Sequence, residues 1–269
     1  MIAHTVPLVS LVIAVYERAD ILERVLTSVE HQTLRDVQVV VADDGSGPEV
    51  AAVVARWQGR LARSLEHVWH EDRGFRKTVI VNHAVTLARS DYLVFIDGDC
   101  ILHHRFLERH YRRRRRRQVL AGRRVMLDRQ LSERLTLDDI RSQRLERVRF
   151  WWRHAGQHDR KNGFYAPWLS TLRGLYRDAY SILGSNFSVH RDDFFAVNGY
   201  DERIVGRGLE DNNLWARFVN SGLRVKPLTF EAIQYHCYHP TSPMPHAPEF
   251  VQEFHGTRET RTPFGIVKE

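Results

Sequence analysis

Acidic residues collect in this sequence directly after apolar runs. Val37–Ala42 is followed by Asp43-Asp44-Gly45-Ser46, and the wholly apolar Leu93-Val94-Phe95-Ile96 by Asp97-Gly98-Asp99. Paired carboxylates are hard oxygen ligands suited to Mg2+ or Mn2+, ions that keep open positions for phosphate oxygens. A D-x-D triplet alone is a common accident, but at the end of an apolar strand it gains specificity. A second acidic pair, Glu210-Asp211, follows Gly206-Arg207-Gly208. The glycines permit a tight loop, which sets the pair in a helix's first turn, where the macrodipole favours ionised side chains. Acidic residues prefer that position for structural reasons too. His236-Cys237-Tyr238-His239 adds two imidazoles, either able to complete a metal shell that a carboxylate begins.

The elements that must position these groups alternate cleanly at first. Leu8–Tyr16 reads as a buried strand, Asp20 to about His31 as a helix with Asp20 and Glu23 at capping-box spacing. Val37–Ala42, Leu65–Trp69 and Tyr92–Ile96 read as further strands, Glu49–Trp57 and Arg76–Arg89 as further helices. Strand–helix alternation with doubly apolar strands predicts an α/β fold with a mostly parallel sheet covered by helices. The four strands end in Tyr16-Glu17-Arg18, Asp43–Ser46, His70-Glu71-Asp72 and Asp97–Asp99. Ligands of open α/β sheets bind beyond the carboxyl ends of the strands, so four polar ends predict one shared cleft.

Beyond this point the pattern changes. His103–Arg117 reads as a helix ending in six arginines, Arg112–Arg117, and Val119–Leu127 as one strand. Ser181–His190, Leu223–Leu228 and Ile233–Tyr238 are strand-like, and Leu209–Ser221 is helical. The expected organisation is an alternating α/β half (1–127), a helical and aromatic insertion (128–180), a second half that returns to strands and one helix (181–240) and a proline-rich, loop-like tail (241–269).

Composition narrows the class. The 269 residues include 40 basic and 33 acidic side chains, a net charge of +7, with 36 Arg against 4 Lys. Such a balance suits an anionic partner such as a nucleotide, a phospholipid surface or nucleic acid. Two cysteines, Cys100 and Cys237, exclude a disulfide framework and a four-cysteine zinc site. No apolar run reaches the roughly 18 residues of a membrane span. The N-terminus reads as a strand rather than a signal peptide, so a reducing cytoplasm is the expected location. Neither G-x-G-x-x-G nor G-x-x-x-x-G-K-[ST] follows the first strand, which disfavours a dinucleotide fold and a P-loop. A bound nucleotide would instead need its phosphates neutralised by an ion at Asp97 and Asp99.

In combination these motifs resemble the family 2 glycosyltransferases of GT-A fold. The subgroup that fits best has a second half similar to the galactosyltransferase and chondroitin-polymerase type. The resemblance rests on Val9–Tyr16, Val41–Ser46, His70–Lys77 with Asn82, and Phe95–Cys100. It continues through Gly184–Phe187, Gly199–Glu202, Gly208–Asp211 and His236. It implies an α/β GT-A fold and a metal-dependent, inverting transfer of a hexose from a UDP-sugar to a glycan or lipid-linked acceptor. By the same resemblance, Asp43 or Asp44 holds the base and ribose, with the loop after Val15 (Tyr16 and Arg18) lining the base. Arg76 and Lys77 lie near the nucleotide, and Asp97, Gly98 and Asp99 bind Mn2+ or Mg2+ with the diphosphate. His236 is the leading further ligand and His239 its competitor. Asp211 is the implied general base, with Glu210 positioning sugar or acceptor.

Two other classes compete. A nucleotidyltransferase would use a similar carboxylate site but needs a glycine- and basic-rich loop, which Ala14–Arg18 does not supply. A nucleic-acid-binding module would use the arginine run and its interleaved aromatics, but leaves the aspartates unexplained. The run, with Arg147–Arg153, also suggests contact with anionic lipid, peripheral on the inner face of a bacterial membrane.

Overall fold

The computed structural model describes residues 6–154, 156, 163–171, 181–240 and 257–268. Four parallel strands form the first half: β1 (Val9–Val15), β2 (Val37–Asp43), β3 (Leu65–Trp69) and β4 (Tyr92–Asp97). Between them run α1 (Ala19–Glu30), α2 (Pro48–Trp57) and α3 (Lys77–Thr86). Successive strand residues face opposite sides. Leu11, Ile13, Val39 and Val41 pack under α1 and α2, whereas Val12, Val40 and Ala42 pack under α3. That two-sided burial is why β1 and β2 are apolar along nearly their whole length.

The sheet is completed by β6 (Gln118–Ala121), β8 (Asn186–His190) and β9 (Arg224–Pro227). The strand order is β3-β2-β1-β4-β8-β6-β9, and β8 runs antiparallel to both neighbours. Helices α8 (Arg191–Ala196) and α9 (Glu210–Asn220) join α3 on one face. A small second sheet, β5 (Cys100–Leu102), β10 (Ile233–His236) and β7 (Arg123–Met126), stands beside the carboxyl end of β4. The expected α/β architecture with a mostly parallel sheet is thus present.

Several local expectations are corrected. The capping box at Asp20 and Glu23 does not form. Arg18, in the left-handed region, precedes α1 without a side-chain cap, and Glu23 bonds Arg56 at 2.8 Å instead. The helix expected over His103–Arg117 shortens to α4 (Phe106–Arg113), because Cys100–Leu102 forms a strand and the chain turns out at Arg114. Val119–Leu127 is two strands in different sheets, broken at Gly122. A β-carbon at Gly122 would lie 2.1 Å from Asn186 Oδ1, so only glycine lets the two segments bend there.

The insertion contributes α5 (Arg129–Arg134), α6 (Leu137–Arg141), a 3-10 turn at Arg144–Glu146 and α7 (Val148–Arg153). Trp151 stacks on Tyr235 at 5.4 Å, which seats α7 on the small sheet. Residues 172–180 of the insertion and 241–256 of the tail lie outside the described residues. Among the described residues no helix is long and apolar enough to cross a membrane.

The arginine run is largely engaged within the fold. Arg112 pairs with Glu108, Arg113 with Glu231, Arg116 with Asp192 and Arg117 with Asp193, while Arg114 lies over the Tyr111 ring.

Candidate active site

Strand register fixes the cleft. Val15 pairs with Asp43, Asp43 with Trp69, and Ala14 with Asp97. The polar ends of the four parallel strands therefore lie side by side, as the sequence predicts.

The Asp43-Asp44 corner is tightly wired. Asp43 is fully buried; its Oδ1 accepts from Ser46 N at 2.8 Å and its Oδ2 meets His67 Nε2 at 2.9 Å. Asp44 meets His70 Nε2 at 2.8 Å and accepts from Arg76 N at 3.0 Å. Burial raises the Asp44 carboxyl, and the His70 and Arg76 contacts only partly offset that. Gly45 has φ 97, and a β-carbon there would lie 2.5 Å from Asp72 Cα, so this corner requires glycine. Across it, Glu17 and Arg18 both have φ 56, an unusual pair of left-handed non-glycine residues held by Glu17 N donating to Ser46 Oγ. The Arg18 guanidinium turns away to Asp20. Two aromatic side chains remain open beside the corner: Tyr16, 54% exposed, and Trp69, 53% exposed. Trp69 Nε1 donates to Ser46 O, which fixes its indole.

Asp97 and Asp99 point to different partners. Lys77, at the start of α3, places Nζ 2.5 Å from Asp97 Oδ1. Gly98 between them packs against Val15, where a β-carbon would sit 2.9 Å from Val15 Cβ. Asp99 lies 3.3 Å from His236 Nε2 and 3.1 Å from His239 Nε2. Burial would raise the Asp99 carboxyl, but the two imidazoles overcome it and hold it far below the ordinary range. The ligand atoms of Asp99, His236 and His239 all lie within 4.8 Å of one another. His236 Nδ1 is buried without a hydrogen-bond partner. One carboxylate and two imidazoles form a donor set that fits a divalent transition ion. His236 and His239 both reach Asp99, whereas Asp97 bonds Lys77.

Glu210 and Asp211 enter from the second half at the N-terminus of α9. Asp211 Oδ2 accepts from Gly184 N at 2.7 Å, and Asp211 Oδ1 accepts from the Tyr200 hydroxyl at 3.3 Å. A β-carbon at Gly184 would meet Asp211 Oδ1 at 2.4 Å, so glycine is what admits this carboxylate. Burial raises Asp211. Glu210 is raised to about 7, by burial first and by the neighbouring Asp211 charge second. Lys77 feels Asp97, Asp211 and Glu210 together; their charges outweigh its burial and hold it above the ordinary lysine range. The early D-x-D and the late Glu-Asp thus share one cation. Tyr200 and Gly184 fix Asp211, and their residue types alone do not mark them; in the sequence they are signalled by the motifs Gly199–Glu202 and Gly184–Phe187.

A second set of metal-type side chains satisfies itself. Glu146 accepts from His104 N at 2.7 Å and bonds His104 Nδ1, and its Oε2 lies 3.3 Å from His103 Nε2. Arg105 N donates to His103 Nδ1 and Arg105 Nε to His104 Nε2. The imidazole protons therefore face Glu146, and neither ring keeps a lone pair for an ion. The set ties the inserted helices to the end of β5.

The mixed α/β fold with a mostly parallel central sheet is shared with the GT-A glycosyltransferases. Solved structures of that fold superpose on most of the chain. A GalNAc-T7 complex with UDP, GalNAc and Mn2+ matches with TM-score 0.63 and 15% identity over 88% of this chain and 45% of that one. The mannosyltransferase PcManGT from Pyrobaculum calidifontis, in complex with GDP-Man and Mn2+, matches with TM-score 0.56 and 16% identity over 87% and 58%. The chain belongs to glycosyl transferase family 2, whose model matches residues 10–163. A second model, N-terminal domain of galactosyltransferase, matches residues 171–240. Validoxylamine A glucosyltransferase of Streptomyces hygroscopicus subsp. jinggangensis (strain 5008) is 40% identical over 94 residues, covering 34% of this chain and 22% of that protein. Chondroitin synthase of Escherichia coli is 32% identical over 91 residues, covering 34% and 13%. The matched segment is thus a quarter or less of these relatives' length.

Proposed function

We propose that this chain transfers a hexose-type sugar from a nucleotide-sugar, a UDP-sugar in first place, to a hydroxyl of a glycan or lipid-linked saccharide, with inversion. The observation that carries this reading is the convergence of Asp97 and Lys77 from one half with Glu210 and Asp211 from the other, beside Asp99, His236 and His239. Residues 1–127 serve as the donor half and 181–240 as the half that activates the acceptor. Support for a nucleoside diphosphate donor comes from the fold neighbours, one bound with UDP and one with GDP-Man. The preference for UDP rests on the sequence resemblance.

In this reading Tyr16 and Trp69 flank the nucleobase, and Asp43 and Asp44 shape the corner on which base and ribose rest. Asp99, His236 and His239 would hold the divalent ion; two imidazoles favour Mn2+ over Mg2+. Such an ion stabilises the negative charge of a departing diphosphate. Lys77 holds Asp97 and adds positive charge to the same cleft. Asp211 takes the proton of the acceptor hydroxyl as that oxygen bonds to the anomeric carbon. The bond from that carbon to the phosphate oxygen breaks, and its electron pair leaves with the nucleoside diphosphate. Displacement from the opposite face inverts the anomeric centre.

The acceptor and the membrane setting have separate support. Trp152 of α7 is 79% exposed between the exposed Arg149 and Arg153, a combination suited to an anionic headgroup layer. The internal pairing of the arginine run gives that setting less support than its sequence suggests. Co-sedimentation with phosphatidylglycerol vesicles at low and high salt tests it, and no binding at low salt removes it.

The decisive experiment incubates the protein with a panel of nucleotide-sugars, with and without Mn2+, and measures nucleoside diphosphate release. Slow Mn2+-dependent donor hydrolysis by one nucleotide-sugar is expected. Synthesis of a nucleotide-sugar from a triphosphate, or salt-dependent RNA binding with no donor turnover, would replace this reading by one of its rivals.

A further inference from the structure

The described part of the tail, 257–268, lies beyond both family matches, which end at residues 163 and 240. It nevertheless returns to the fold and closes on the segment that carries Tyr200. Asn198 is the centre of this closure. Its Nδ2 donates to Thr262 O at 2.7 Å and to Val267 O at 2.8 Å, and its Oδ1 accepts from Val267 N at 2.8 Å. Ile266 N donates to Asn198 O at 3.0 Å, and Glu202 N donates to Phe264 O at 3.0 Å. Thr262, fully buried, donates from Oγ1 to Asp201 Oδ2 at 2.7 Å. Lys268 Nζ meets Glu202 Oε2 at 2.5 Å.

From the other side α3 grips the same segment. Asn82 Oδ1 accepts from Tyr200 N at 2.8 Å, and Asn82 Nδ2 donates to Tyr200 O at 2.8 Å. Gly199, at φ 69, is squeezed between them: a β-carbon there would lie 2.4 Å from Asn82 Oδ1 and 2.9 Å from Ile266 Cγ1. Asn198, at φ 63, is a non-glycine residue in the left-handed region and is held there by the bonds above, while Gly199 adopts that region without steric cost. Two clamps therefore set the place of Tyr200, whose hydroxyl reaches Asp211.

We propose that the segment 257–268 is a positioning strap for the proposed general base, with Thr262 and Ile266 acting through Tyr200 on Asp211. The assignment of Asp211 rests on the reading above; the mechanical link from strap to Tyr200 does not. Buried polar pairs of this kind over-determine a loop's geometry, and small misplacements at a reacting centre lower turnover rather than donor binding.

The test uses the full chain with Thr262→Val and, as a second variant at a less buried site, Ile266→Ala. Hydrogen exchange is read first. Faster exchange over 198–202 and over the first turn of α9 is expected in both variants; unchanged exchange there overturns the strap whatever the activity. Turnover is read second. Each variant is expected to lose about tenfold in kcat with donor KM within about twofold. On a Tyr200→Phe background the same substitutions should add nothing further. Losses that multiply fully with Tyr200→Phe, or that fall on KM, overturn the route through Tyr200. A wild-type protein without nucleotide-sugar turnover defeats the enzymatic reading alone, and the exchange result still judges the strap.

Discussion

Lys77 Nζ stands 2.5 Å from Asp97 Oδ1 while its charge also acts on Glu210 and Asp211, which the sequence places more than a hundred residues away. One ammonium thus offsets three carboxylates drawn from both halves of the fold. Lys77 lowers both Glu210 and Asp211, working against their burial. Without it, both carboxyls hold their protons to higher pH. Lys77→Gln is therefore expected to lower turnover at neutral pH by about tenfold or more and to move the acid limb of the kcat profile upward. A kcat–pH profile of unchanged shape would separate Lys77 from the base.

Asp211 is the residue on which the chemistry depends. Asp211→Asn keeps the shape and the bond from Gly184 N but cannot take a proton. General-base removal typically costs about 10²–10⁴ in rate, so kcat should fall into that range while the Kd for nucleoside diphosphate, read by calorimetry, stays level. Gly184→Ala makes a matched test, because its new methyl would meet the Asp211 carboxylate directly. It too should depress kcat more than donor affinity. Intact turnover in Asp211→Asn with the fold preserved would remove the assignment.

The metal reading separates Asp99 from Asp97. Asp99→Asn, His236→Ala and His239→Ala should each weaken Mn2+ binding by about tenfold or more, measured as recovery of the free-ion signal in electron paramagnetic resonance. Asp97→Asn should weaken it less, because that carboxylate bonds Lys77 and stands outside the three-residue cluster. Chelator treatment of the wild type should abolish donor turnover, and added Mn2+ should restore it. A histidine whose loss leaves the ion bound is a structural partner of Asp99 only.

Much of the first half was legible because its signals are local. β-branched runs bounded by polar corners give β1, β2 and β4, and the shared cleft follows from the parallel connection alone. The acidic motifs could be found because chemistry needs those residue types wherever the chain places them. What stayed hidden depends on contacts across long stretches of sequence. The break at Gly122 comes from the close approach of Asn186, which no pattern within Val119–Leu127 records. The spurious capping box at Asp20 and Glu23 had the right spacing, but Glu23 bonds Arg56 of α2 instead. The arginine run read as an open basic surface because its acidic partners, Glu108, Asp192, Asp193 and Glu231, are mostly remote in sequence. The role of Tyr200 is illegible for a similar reason: the motif Gly199–Glu202 contains it, but its bond to Asp211 is set by the turn before α9.

Glu210 supplies a stability test that needs no substrate. Its carboxyl is raised from an ordinary 4.5 to about 7, chiefly because it is buried and secondarily because Asp211 is beside it. Between those two values the folded chain holds a proton that the unfolded chain has released. The stabilising contribution is therefore full below about pH 4.5 and falls as the pH rises through about 7, where the folded carboxyl ionises in its buried place. Asp211, also raised, adds a slope of the same sign. Glu210→Gln retains an oxygen to accept from Gly208 N but cannot ionise. Thermal unfolding across a pH series should then show a Tm gain over wild type that is small in acid and grows to a few degrees above neutrality. A difference that stays constant across the series would mean that Glu210 is not held protonated by its surroundings. Its suggested part in positioning sugar or acceptor would then require a carboxylate that is charged throughout.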